Sequence, residues 1–109
     1  MTYDTDLADR LRSALGSGPE LTEREMFGGS AFLRHGHMCC GVVDDTLMAR
    51  IGPDTYDEAL EEPHARPMDF TGRPMRGWVF VDPPGVATDE DLRAWVDRAT
   101  AFVSSLPPK

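Results

Sequence analysis

Residues 31–51 read AFLRHGHMCCGVVDDTLMARI, and apolar side chains recur at every second position through most of this stretch. That spacing is typical of strands with one buried face. Two dipeptides interrupt it, His35-Gly36 and Asp44-Asp45, and each suits a two-residue turn because such residues tolerate a positive φ. Together with residues 25–30, the stretch predicts three short strands joined as an antiparallel meander.

The two turns also predict which residues of the meander lie opposite one another. A two-residue turn at His35-Gly36 places Phe32 opposite Cys39. A second turn at Asp44-Asp45 places Cys39 opposite Arg50, and paired residues share a face. One face is then wholly apolar and is expected to lie under the helices. Its members are Ala31, Leu33, Met38, Cys40, Val42, Leu47, Ala49 and Ile51.

The other face of the predicted meander mixes charged and apolar side chains. It includes Phe32, Arg34, His37, Cys39, Met48 and Arg50. The apolar members are too many for a freely solvated surface, so we expect a partner to cover this face. These six residues are the candidate binding surface.

Both ends of the chain carry a helical pattern. Leucines recur every four residues between positions 7 and 15, which predicts an amphipathic first helix. Residues 92–106 hold an apolar stripe at i, i+3, i+4 and i+7, which predicts a last helix. Thr88 stands three residues before Asp91, and that spacing resembles a capping box at the start of the last helix.

The middle of the chain predicts a short helix and a second strand pair. Gly52-Pro53-Asp54 opens an acidic helix that runs to about Leu60, since proline suits a first helical turn. Residues 66–82 predict two strands joined near Thr71-Gly72, at an edge or a bulge because prolines interrupt them. The order α-β(3)-α-β(2)-α predicts an α+β domain in which helices cover an antiparallel five-stranded sheet.

Composition limits the class of protein. The chain has 109 residues, of which 40% are hydrophobic, and a formal net charge of −8, so we expect one domain over residues 1–109. The negative charge would repel a phosphate backbone, and direct nucleic-acid binding is not expected. The chain starts without the pattern of a signal peptide, and no apolar run is long enough for a membrane span. We therefore expect a cytoplasmic protein with reduced thiols and no membrane partner.

The cluster of His37, Cys39 and Cys40 raises the question of a metal site. In the predicted register Cys40 points away from the other two, which leaves fewer ligands than zinc requires. We therefore expect no metal and no cofactor. A disulfide between adjacent cysteines would close a cramped ring, and no disulfide framework is expected.

A thiol site centred on Cys39 is the alternative function. Arg50 is its predicted cross-strand neighbour, and Arg34 and His37 share its face, so nearby cations favour the thiolate. The site would serve a small molecule or thiol-dependent chemistry. The competing interpretation is a small, inert residue packed beside Phe32.

The segment around residues 64–76 is the locally basic part of an acidic chain. Arg66, Arg73 and Arg76 form a candidate binding site for an acidic partner or ligand. Arginines that only make an exposed hairpin soluble are the preferred interpretation, given the overall charge.

Four sequence runs resemble the TfoX N-terminal domain family. They are MFGG at 26–29, GHMCCGVV at 36–43, LMARIGPDTY at 47–56 and ARPMDFTGRPMRGWVFV at 65–81. The resemblance implies an α-β(3)-α-β(2)-α fold similar to secretion chaperones. The family's namesake, TfoX or Sxy, regulates natural competence with a cyclic-AMP receptor protein and has a further C-terminal domain, which we do not expect in this chain. The family implies no catalytic residues.

These observations predict a non-enzymatic binding or regulatory module. Its expected form is a TfoX-like, transcription- or competence-associated protein that acts through protein contacts. The methionine-rich mixed face predicts self-association through the sheet, and we expect a homodimer.

Overall fold

A computed structural model of the chain describes residues 3–16, 18, 21–26, 29–68 and 75–107. Within these ranges it contains three α-helices and six β-strands. The elements in chain order are α1 (Thr5–Leu15), β1 (Leu21–Met26), β2 (Gly29–Arg34), β3 (His37–Val43), β4 (Thr46–Arg50), α2 (Tyr56–Leu60), β5 (Ala65–Pro67), β6 (Trp78–Val81) and α3 (Asp89–Ser104). A 3-10 turn over Pro83–Val86 joins β6 to α3.

The six strands form one antiparallel sheet in the order β1-β2-β3-β4-β6-β5. The α+β class is confirmed, with one strand more than the sequence predicts. The additional strand is β1, which pairs with β2 at the edge of the sheet. Residues 22–25 in this strand are all exposed, so the sequence LTEREM lacks the alternation that reveals a half-buried strand.

The helices all pack on one face of the sheet, called here the inner face. The main core lies between the helices and the sheet. It includes Leu7, Leu11, Leu15, Val42, Leu47, Ala49, Tyr56, Ala59, Val79, Val81, Leu92, Val96 and Val103. The opposite, outer face carries a second and smaller apolar cluster. That cluster consists of buried Ala31, Met48, Met68 and Phe80, with Met38, Val43 and Trp78 packed against it.

The two turns of the meander form as the sequence predicts. His35 and Asp44 both have positive φ, of 52° and 54° respectively, and Gly36 follows with 83°. Arg34 lies opposite His37, so two residues connect β2 to β3. These turns confirm the predicted hairpins, because the residues that tolerate a positive φ stand where one is needed.

The start that the sequence predicts is confirmed for α3 but not for α2. Asp4 caps α1 by accepting hydrogen bonds from the backbone N–H groups of Asp6 and Leu7. The short helix begins at Tyr56, later than the sequence predicts. The hydroxyl of Thr55 donates to the carbonyl of Ile51, 2.9 Å away, and the connecting residues form a turn instead of a first helical turn.

Replacing Thr88 with alanine tests the cap of α3. The Thr88 hydroxyl accepts a hydrogen bond of 3.1 Å from the backbone N–H of Asp91. Its loss is expected to lower the free energy of unfolding by about 1 kcal/mol. Urea denaturation of Thr88→Ala and the control Thr88→Ser measures this difference. Equal stability of the two variants would show that the cap contributes nothing.

The second strand pair is shorter than the sequence predicts. Ala65 lies opposite Val81 and Pro67 opposite Val79, so β5 forms the sheet edge, where a proline is tolerated. The backbone N–H of Met75 donates to the carbonyl of Met68 at 2.9 Å. The predicted turn at Thr71-Gly72 lies outside the described residues.

Candidate functional site

A β-bulge interrupts the pairing of β2 with β3. Leu33 lies opposite Met38, but the preceding residue of β2, Phe32, lies opposite Cys40. Cys39 is the extra residue of β3, and one such residue locally breaks the alternation of faces. Cys39 and Cys40 therefore both belong to the main core on the inner face.

The bulge overturns the predicted face of four candidate residues. Phe32 and Cys39 are buried in the core under the helices, at 1% and 0% exposure. Arg34 reaches the carbonyl of Leu15 in α1 at 3.5 Å, and His37 reaches the C-terminal end of α3. These four side chains lie on the inner face, and the prediction that they share an outer surface is wrong.

The same bulge moves three residues the other way. Ala31 and Met38 belong to the outer cluster, and Leu33 shares their face because it pairs with Met38. The sequence predicts all three under the helices. That prediction requires a regular pairing of β2 with β3, without a bulge. The run from Ala31 to Leu33 is apolar at every position, so its hydrophobic pattern fits the pairing with the bulge as well as the pairing without it. The inner placement of Cys40, Val42, Leu47, Ala49 and Ile51 is confirmed.

The two thiols form a compact group with one hydroxyl of α3. Cys39 Sγ lies 3.7 Å from Cys40 Sγ and 4.0 Å from Thr100 Oγ1. Both cysteines are free and fully buried. Thr100 itself is half-buried.

The group makes the two thiols unequal acids. A hydrogen bond from Cys40 lowers the pKa of Cys39 against the opposing effect of burial, and Thr100, Arg34 and Arg50 lower it further. The same hydrogen bond and complete burial raise the pKa of Cys40 well above its ordinary value. Cys39 is therefore the thiol with more thiolate character.

His37 takes no part in this group. Its Nε2–H donates to the carbonyl of Pro107 at 2.6 Å, which ties β3 to the chain beyond α3. The structure therefore does not pair His37 with Cys39 as base and nucleophile. Within the described ranges, no three His, Cys, Asp or Glu side chains are arranged to hold a metal ion.

Met48 and Arg50 lie on β4, at positions that the register assigns to the outer face, as the sequence predicts. Met48 is buried in the outer cluster, and Arg50 pairs with Trp78 of β6. The Arg50 guanidinium carbon lies 5.3 Å from the Trp78 ring centroid and 5.5 Å from that of Phe102. Two aromatic rings therefore hold this charge at the end of the strand.

The outer face combines half-buried apolar side chains with arginines. Its half-buried apolar side chains are Leu33, Met38, Val43 and Trp78. Within the described strands, the register places three arginines and no carboxylate on this face. Those arginines are Arg24, Arg50 and Arg66.

Comparison with known families identifies the family of the chain. The family model described as TfoX N-terminal domain matches residues 13–103, most of the chain. The chain belongs to the TfoX N-terminal domain family. No curated protein and no solved structure matches it significantly, so the predicted likeness of this TfoX domain to secretion chaperones stays a prediction.

The candidate basic hairpin of this TfoX domain is already engaged within the chain. Arg66 forms an ion pair with Asp82 at 3.1 Å and stacks on the Phe80 ring. Arg76 lies 3.5 Å from Asp57 and stacks on Tyr56. Arg73 lies outside the described residues. The two described arginines therefore make contacts within the chain, and their binding of an acidic partner or ligand stays a prediction.

The sequence missed three participants in the TfoX domain's candidate sites. Thr100 approaches Cys39 from α3, which is distant in sequence, and no local sequence pattern predicts such a contact. Arg24 lies on the edge strand that the sequence did not reveal. Met38 was assigned to the core by the unbroken register.

None of the described helices combines the length and apolar character needed to cross a membrane.

Proposed function

We propose that this TfoX domain is a non-catalytic regulatory module that binds another protein through its outer sheet face. The observation that carries the proposal is the half-buried apolar set on that face, Leu33, Met38, Val43 and Trp78, flanked by arginines. Interface cores are enriched in aromatic residues, methionine and arginine. A transcription- or competence-associated role is the cellular form of this proposal, and family membership supports it.

The charge of the outer face favours an acidic partner. The strand register places Arg24, Arg50 and Arg66 on this face, in a chain whose formal net charge is −8. The Arg50 guanidinium lies at the edge of the face, between the rings of Trp78 and Phe102. Asp82, just beyond β6, neutralises Arg66, which leaves an excess of positive charge. Acidic residues gather instead at the first turns of α2 and α3, on the side of the helices. A partner with an acidic rim around an apolar centre would complement this face.

A second copy of this chain is the competing occupant of the same face. A symmetric contact brings the same patch of both copies together, so the positive charge of Arg24 and Arg50 on one copy would meet a patch of the same charge on the other. The free edges of the sheet do not suit self-pairing either. Strand β1 presents alternating charges, Glu23, Arg24 and Glu25, and β5 is three residues long with a proline. The homodimer therefore stays a prediction, and the acidic partner is the occupant we propose.

Charge reversal on opposite sides of the molecule tests the proposal. Arg24→Glu changes the outer face, and Arg93→Glu changes an exposed position of α3 by the same charge. In affinity recovery from the native cell, a specific partner should bind Arg24→Glu about tenfold more weakly, while binding to Arg93→Glu stays close to that of the unchanged protein. The partner should carry an acidic surface, and its affinity should fall as salt is raised.

Met38→Asp supplies a second test, at the apolar centre of the face instead of its charged rim. A buried carboxylate at the centre of the contact should abolish binding, provided that urea denaturation shows the variant folded. Sedimentation of the unchanged protein separates the two occupants. A dimer that Met38→Asp dissociates would replace the acidic partner with a second copy. A monomer at high micromolar concentration, with no protein lost from the Arg24→Glu bait, would contradict binding through this face.

A further inference from the structure

The bulge brings two thiols to one side of the sheet. In a regular strand, neighbouring side chains point to opposite faces, so adjacent cysteines do not meet. Here the extra residue turns Cys39 to the same inner face as Cys40, and their sulfur atoms lie 3.7 Å apart. The tertiary structure has thus created a vicinal dithiol where the sequence predicts two separated side chains.

We propose that Cys39 and Cys40 are a reversible oxidation site, which a hydroperoxide converts to a vicinal disulfide. This site is independent of the proposed binding function. The 3.7 Å approach of the two nucleophilic sulfurs, with the Thr100 hydroxyl 4.0 Å from Cys39 Sγ, supports the proposal. A lone buried cysteine would have no resolving partner, whereas Cys39 has one within van der Waals contact.

The order of the chemical steps follows from the difference between the thiols. Because Cys39 is fully buried, the hydroperoxide reaches it when β3 and α3 separate locally. The Cys39 thiolate then attacks one oxygen of the hydroperoxide, the O–O bond breaks, and the alcohol leaves after taking up a proton. Cys39 is then a sulfenic acid. The Cys40 sulfur attacks the Cys39 sulfur, the S–O bond breaks as the S–S bond forms, and the hydroxyl group leaves as water with the Cys40 proton. The two thiols supply the two electrons that reduce the peroxide.

The acid strengths of the thiols support this order. The pKa of Cys39 is lowered by the Cys40 hydrogen bond and then by Thr100, Arg34 and Arg50, so it supplies the attacking thiolate. The pKa of Cys40 is raised, which keeps its proton until Cys39 has been oxidised. After oxidation, the Cys39 sulfur carries no negative charge and becomes the electrophile.

The geometry makes such a disulfide labile instead of structural. The Cα atoms of neighbouring residues are about 3.8 Å apart, shorter than in ordinary disulfides. A strained bridge is more easily reduced, which is the property of a regulatory bond.

Mass spectrometry of the intact folded protein tests the proposal. After hydrogen peroxide treatment at neutral pH, the monomer should lose two hydrogen atoms, and a maleimide added under denaturing conditions should label neither cysteine. Dithiothreitol should restore both labels. Persistence of two free thiols, or accumulation of sulfinic acid at Cys39 in the unchanged protein, would overturn the proposal.

Two single variants separate the roles of the thiols. Cys40→Ala should stop at the sulfenic acid, so dimedone should label Cys39. Cys39→Ala should leave Cys40 unoxidised under the same treatment. Cys39→Ser and Cys40→Ser provide the same comparison if an alanine variant does not fold. Equal oxidation of the remaining cysteine in both single variants would contradict the assigned order of attack.

Discussion

Phe32→Ala is expected to lower the free energy of unfolding by about 3–5 kcal/mol. Phe32 is 1% exposed and belongs to the main core, where it lies opposite Cys40. Arg12 of α1 also lies over its ring, at 5.7 Å from the centroid. Truncation removes a large apolar side chain and leaves a cavity between the sheet and α1. Urea denaturation measures the loss.

Leu33→Ala is the matched control for this prediction. Leu33 is the neighbouring residue, half-buried on the outer face, and its truncation should cost about 1 kcal/mol, the usual size of a point-mutant effect. The two effects depend directly on the bulge. An unbroken register would bury Leu33 and turn Phe32 outward. A larger loss for Leu33→Ala than for Phe32→Ala would therefore contradict the bulge.

Gly52→Ala is expected to lower the free energy of unfolding by about 2–5 kcal/mol, from backbone strain and overpacking together. Gly52 has a φ of 89°, a conformation that residues with a Cβ adopt at a cost. A Cβ at this position would also lie 2.8 Å from Cε1 of Phe102 in α3. Glycine at position 52 therefore lets the chain leave β4 directly beneath the last helix.

A double-mutant cycle separates the two causes of the Gly52 effect. In a Phe102→Ala background the steric conflict is absent, and Gly52→Ala should cost only the strain of about 1–2 kcal/mol. Coupling between the two substitutions would then measure the overpacking. If the cost of Gly52→Ala were the same in both backgrounds, the contact with the Phe102 ring would not limit this position.

Much of the fold could be predicted because its signals are local. The turn at His35-Gly36 needs positive φ, and these residue types tolerate it. The cap at Thr88 needs a hydroxyl at one backbone position, and the stripe of α3 needs a period that the sequence shows. Strand β1 lacked such a signal because its exposed residues do not alternate. Its place in the sheet depends on β2, not on its own composition.

The candidate sites were harder to predict because they depend on the face of the sheet on which each side chain lies. Met48 and Arg50 lie on β4, whose pairing with β3 follows the predicted turn without interruption. Phe32 and Cys39 lie across the bulge, and one additional residue changed their position relative to the helices. The interpretation of Cys39 as a small residue packed beside Phe32 agrees with the observed core, although the predicted face was wrong.

The sequence by itself determined the α+β class, the two hairpin turns, the terminal helices and the resemblance to the TfoX N-terminal domain family. Only the tertiary structure decided that Cys39 joins Cys40 beneath α3. The physical reason is that turns and caps are satisfied by a few neighbouring residues, whereas a bulge is selected by packing on both faces of the sheet. Because the run from Ala31 to Leu33 is apolar at every position, either register satisfies its periodicity, and the packing of the helices on Phe32 selects one.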